Sequence, residues 1–172
     1  MKRSLPVFVC ALLLLVSCGS SKTVNVGSGG LLGTEKFQFG MPKGGKVVDA
    51  RYGQEVWFAY GAIAGISGAS ANGIAISHWF ETGKFIHTLQ VNIVLPPDGS
   101  FYEGWLEDPA SGKQISTGHL QSRFGDVRHG LTFESDEDLS KFTNVAISLE
   151  KDDGNPAIGK VVAEAKLKQI ER

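Results

Sequence analysis

The chain is poor in cysteine: it has two among 172 residues, Cys10 and Cys18, and both fall in the first eighteen. Everything beyond residue 18 therefore lacks a disulfide, a Cys-ligated zinc and a thiol nucleophile. No apolar run is long enough to span a bilayer as a helix, which needs about 20 residues. Neither sign of charge dominates, with 17 basic and 18 acidic residues and no basic cluster. Nucleic acid is therefore not expected as a partner. Signatures of common enzymes are also missing: there is no G-x-S-x-G, no Walker A, no H-E-x-x-H and no C-x-x-C. Carboxylates are scattered over turns, so the chain is not expected to be an enzyme, and an envelope hydrolase with a site assembled from distant residues is the alternative of that class.

What is present begins with a leader. Lys2 and Arg3 precede an apolar run from Pro6 to Val16, and this ends at Leu15-Val16-Ser17-Cys18. A positive end, a short apolar core and a small residue before a cleavage point make an export signal. The cysteine just after that point gives it the form of a lipobox. Residues 1–17 are expected to be removed, with Cys18 lipidated by diacylglycerol and its new amine acylated, palmitate being a typical chain. Several acyl chains at ~0.8 kcal/mol per buried methylene hold a protein durably on a membrane. Gly19 follows the cysteine where an aspartate would favour the inner membrane. The expected place is the cell envelope outside the cytoplasm: the outer membrane if there are two, otherwise the outer face of the plasma membrane. Of the 17 basic residues, Lys2 and Arg3 leave with the leader, so 15 face 18 acidic ones and the mature charge is −3.

Residues 18–33 comprise the lipidated cysteine and a Gly/Ser-rich tether, for which flexible-chain statistics give a reach of roughly 20 Å. Residues 34–72 are ambiguous, either N-terminal strands or a separate arm. Phe37 and Phe39 alternate with polar residues, Val56-Trp57-Phe58 is strand-like, and 63–73 is small and Gly-rich. From residue 73 to 172 the alternation is plain. Ile74, Ile76, His78 and Phe80 share one face of a strand, and Phe85, His87, Leu89, Val91 and Ile93 share one face of the next. Thr82-Gly83 lies between them as a hairpin turn. Further strands cover 102–106, 115–120, 129–133, 145–149 and 161–167, the last of which also has the Ala, Glu and Lys of a helix, separated by turns at Pro96-Pro97-Asp98-Gly99, Ser111-Gly112-Lys113 and Asp152-Asp153-Gly154-Asn155-Pro156. A short helix is expected over 135–142, with Ser135 as cap and Asp136, Glu137 and Asp138 on its N-terminal dipole. The fold class is all-β, an antiparallel β-sandwich with one short helix.

One set of spaced motifs resembles the extracytoplasmic domain of anti-sigma-K factors. It comprises Leu95-Pro96-Pro97, Tyr102-Glu103-Gly104-Trp105-Leu106, Gly118, Leu131-Thr132-Phe133, Val145-Ala146-Ile147-Ser148-Leu149-Glu150 and Gly154-Asn155-Pro156. The resemblance covers about residues 73–167, extends to small exported proteins sharing that domain, and implies a β-sandwich outside the membrane. Anti-sigma factors join a cytoplasmic sigma-binding segment to this domain through a transmembrane helix. The leader and tether here supply neither, so direct sigma-factor binding is not expected.

A two-residue Thr82-Gly83 loop, or a four-residue loop from Glu81 to Lys84 in the same register, would set His78 opposite His87, with Cβ atoms ~5 Å apart, close enough to share a metal ion. Against this, the pair lacks a neighbouring cysteine, methionine or carboxylate, and a neutral hydrogen-bonded pair is the plainer reading. His119 and His129 near a second hairpin are possible additional ligands. Trp57 and Trp79 suit an aromatic ligand surface or simple packing, and Trp105 suits the core. Glu134, Asp136, Glu137 and Asp138 lack the alternating ligands and central glycine of a calcium loop. The expected function is thus a membrane-anchored, non-enzymatic binding or structural module without cofactor, partnered by the membrane through Cys18 and by another envelope protein, a polymer or a small ligand. The alternative is a metal-binding lipoprotein using His78 and His87.

Overall fold

The computed structural model describes residues 47–171. The leader, Cys18, the tether and the Phe37/Phe39 alternation lie outside the described residues. Ten strands follow in order: β1 (Val48–Asp49), β2 (Gly53–Gly65), β3 (Ala71–Phe80), β4 (Phe85–Ile93), β5 (Ser100–Glu107), β6 (Gln114–His119), β7 (Arg128–Ser135), β8 (Asn144–Lys151), β9 (Lys160–Lys166) and β10 (Lys168–Gln169). All pairings are antiparallel. The all-β expectation holds.

The sheet order is β6-β5-β8-β9-β2-β3-β4-β7, with β1 and β10 added along β2. Its two end strands meet just past β6, where Gln121 bridges Gly130. The sheet is therefore nearly closed, like a barrel, and its halves face each other across one core. Gly104 on β5 shows how close they come. A Cβ there would lie 2.8 Å from Leu89 Cδ1 and 2.9 Å from Leu131 Cδ2, on the opposite wall. Apolar side chains line the interior, including Ala59, Ile63, Ala75, Phe85, Leu89, Val91, Leu106, Val145, Ile147 and Ala163. Alternation along each strand supplies them.

β2 sits in the middle of the sheet, between β9 and β3. A domain starting at residue 73 would lack that strand, so the ambiguous stretch belongs to the sheet at least from β1 onward. The Gly-rich run that discouraged a strand contains the end of β2, a short turn over 66–70 and the start of β3. Small residues are needed there. At Gly73 a Cβ would fall 2.1 Å from the Gln90 carbonyl oxygen, and at Gly61 one would fall 2.5 Å from that of Lys166.

The expected helix over 135–142 is not formed. Ser135 is the last residue of β7, paired with Phe85. Local bonds then compete with helical ones. The Glu137 N–H donates to Ser135 Oγ at 3.0 Å, and the Ser140 N–H donates to Asp138 Oδ1 at 2.9 Å. Asp136 is held by the Lys84 ammonium at 2.5 Å. The segment then sends Leu139 and Phe142 into the core, 3% and 1% exposed.

The turns at 96–99 and 152–156 are as expected. The Ser100 N–H donates to Pro97 O at 3.0 Å, and the Asn155 N–H donates to Asp153 Oδ1 at 3.0 Å. The second turn opens the loop that carries Gly159, whose N–H donates to buried Glu150 at 2.8 Å. Ser148 Oγ also donates to Glu150, and Trp105 Nε1 donates to Ser148 at 2.8 Å. The Trp105, Ser148 and Glu150 of the motif set therefore form one buried chain on the outer side of β5 and β8.

Candidate binding face

The β3–β4 hairpin decides where the histidines go. Its loop holds three residues, not two. The Phe80 N–H donates to Lys84 O and the Gly83 N–H donates to Phe80 O, both at 2.9 Å. Gly83 takes a φ of 78°, the left-handed residue that closes a three-residue hairpin. One more residue in the loop shifts the register by one, which exchanges the faces of the side chains. Ser77, not His78, is paired with His87, and His78 is paired with Ile86.

The shared His78/His87 metal site is thereby overturned. His87 points into the core, fully buried, with Nδ1 2.8 Å from Ser77 Oγ. Burial pulls its pKa down to about 3, against a backbone hydrogen bond at Ile76 that raises it. His78 stands on the outer face. The other expected ligands do not converge either. His119 is exposed and stacked on Phe101 at 3.8 Å between centroids. His129 is buried, its Nδ1 donating to Val127 O at 3.0 Å. Among the described residues no three His, Cys, Asp or Glu side chains group as a metal site.

On the outer face, a second local feature creates a site that alternation alone concealed. β2 carries a bulge between Glu55 and Trp57. Val56 is the extra residue, and it places Glu55 opposite Phe80, on the same face as His78. There His78 Nδ1 donates to Glu55 Oε2 at 2.5 Å, with side-chain exposures of 25% and 3%. A carboxylate that receives Nδ1–H fixes the ring tautomer and leaves Nε2 on the far side of the ring.

Five rings run across β2, β3 and the turn before β2. Tyr60 lies 6.1 Å from Phe58, Phe58 5.1 Å from His78, His78 5.8 Å from Phe80, and Phe80 5.6 Å from Tyr52. Tyr60 is 44% exposed and Phe80 is buried, so the row is graded from open to covered. Tyr52 is fastened at its far end, its hydroxyl donating to Glu134 Oε1 at 3.0 Å. Beside Glu55 lies a shallow depression of about 370 Å³, lined by Glu55, Val56, Trp57, Phe58, Gln169, Ile170 and Glu171. Exposed Val56 and Ile170 add apolar surface to it.

Trp57 and Trp79, the aromatic surface suggested by sequence, are paired with each other on the inner side and pack against the core. Trp105 is buried, as expected. Of the acidic run at 134–138, Glu134 accepts from Tyr52, Asp136 pairs with Lys84 and Asp138 accepts from the Ser140 N–H. Glu55 went unnoticed because only the bulge brings it to His78. A carboxylate two positions before a tryptophan in an alternating strand would otherwise point inward.

Comparison with known proteins yields no match: no family model fits the chain, and no curated protein or solved structure aligns with it.

Proposed function

We propose that the mature chain is a lipid-anchored protein of the cell envelope whose β domain is a non-enzymatic binding module. The anchor rests on the leader and Cys18; the likeness to anti-sigma-K extracytoplasmic domains rests on the motif residues alone. The observation that carries the binding role is the ring row beside the Glu55–His78 pair. Flat rings with adjacent hydrogen-bonding groups suit a partner that has flat apolar faces bordered by hydroxyls. Among envelope components, a glycan polymer has that chemistry.

The test is co-sedimentation of the full-length mature protein with insoluble cell-wall glycan, for the natural chain and for Tyr60→Ala. Loss of one aromatic contact of ~1–1.5 kcal/mol weakens binding about tenfold. Binding that Tyr60→Ala leaves unchanged, or no binding by the natural chain, would contradict the glycan reading.

A further inference from the structure

The end of the sheet remote from Tyr52 carries a different surface. There the 94–99 loop leaves β4 and the 120–127 loop enters β7. They are joined at the base, where the Ile93 N–H donates to Val127 O at 2.9 Å. The loops present Phe124 at the tip of one, and Val94, Leu95 and Val127 beside their joined bases, to solvent, exposed by 71%, 61%, 51% and 48%. Phe124 stands on a tight turn, the Gly125 N–H bonded to Ser122 O and the Asp126 N–H to Ser122 Oγ. The tip is thus held out by the backbone. Arg128 lies over the Phe124 ring at 4.4 Å and is bonded to Asp126 at 2.6 Å. Arg123 and Asp98 lie on the same loops, and Lys151, Asp152 and Asp153 sit against them where the Asp152 N–H donates to Gly99 O, so three basic residues stand beside four acidic ones.

We propose that the apolar surface of these two loops docks in a lipid bilayer and orients the domain on it. The inference rests on the lipid-anchored reading in one respect: an anchor at Cys18 keeps the bilayer as the nearest apolar phase. The segment from Gly19 to Lys46 spans at most ~90 Å at ~3.3 Å per residue, several times the roughly 30 Å of a nine-residue strand. The anchor therefore permits either end to face the lipid, and the apolar loops select this one. Protruding side chains suit a soft interface better than the flat face of another protein, and near-balanced charge makes apolar insertion the driving force. Docked this way, the domain turns its Tyr52 end away from the membrane.

An environment-sensitive fluorescent amino acid, incorporated at Phe124 or at Thr82 in the opposite hairpin, tests this in the full-length mature protein on phosphatidylcholine vesicles. The expected result is blue-shifted emission at Phe124, quenched by brominated lipid and insensitive to salt, with aqueous emission at Thr82. Aqueous emission at Phe124 overturns the proposal. So does a blue shift that brominated lipid leaves unquenched, which indicates a protein partner or a second copy. Palmitate incorporation at Cys18, measured on the same samples, separates the two readings. Quenching without palmitate retains loop docking and removes the anchor, whereas palmitate without quenching removes loop docking alone.

Discussion

Ser77 and His87 face each other across β3 and β4, their side chains joined at 2.8 Å inside the sheet. This contact marks the register of the hairpin, in which His78 appears on the outer face. It also buries an imidazole in an apolar core.

The buried imidazole makes stability depend on pH. His87 has a folded pKa of about 3, against 6.5 for the unfolded chain. Between those values the unfolded chain binds a proton that the folded one does not. Stability is therefore greatest above pH 6.5 and is lost as pH falls toward 3. The limit from this group is on the order of 5 kcal/mol. Urea unfolding at pH 7, 5 and 4 should show the decline, and His87→Leu should flatten it. An equally steep decline in His87→Leu would assign the effect to other groups.

Gly83 tests the hairpin itself. Its φ of 78° costs an ordinary L-residue ~1–2 kcal/mol. A Cβ there meets nothing nearer than Trp79 at 3.9 Å, so the cost is conformational rather than steric. Gly83→Val should lower the melting temperature, while Gly83→Asn should lower it less, since asparagine tolerates this region. Equal melting of the two variants would argue against a left-handed residue at this point.

Much of this fold was legible in the sequence. Alternation found β3 to β9, because each strand has one buried face. Pro-Pro-Asp-Gly and Asp-Asp-Gly-Asn marked their turns by residues whose backbone preferences are local. The register was not legible in the same way. Thr-Gly between strands fits a two-residue or a three-residue loop, and the choice is made by packing. Small Gly73, Ala75 and Ser77 fit against the β4 core face, which leaves the larger Ile74, Ile76 and His78 outside. Size, not hydrophobicity, decided the face. The bulge at Val56 has no sequence signal, and so the Glu55–His78 pair had none. The acidic run after Ser135 has a helix's composition, but Leu139 and Phe142 are buried in the core without one.

The Glu55–His78 pair should behave as a coupled unit. His78→Ala removes one partner of a carboxylate that is 3% exposed, while Glu55→Ala releases a ring that is 25% exposed. The first should cost about 2 kcal/mol and the second about 1 kcal/mol, with the double variant less destabilised than their sum. Denaturant titration of the four proteins gives the coupling. Strict additivity would show that the pair contributes nothing as a pair.

The mature N-terminus tests most directly the proposed holding of the domain at a membrane through Cys18. Mass spectrometry of the protein from its native envelope should find a first residue of Cys18 carrying diacylglycerol and an amide-linked acyl chain. A chain that retains Met1, or one cut elsewhere with a free Cys18 thiol, would contradict it.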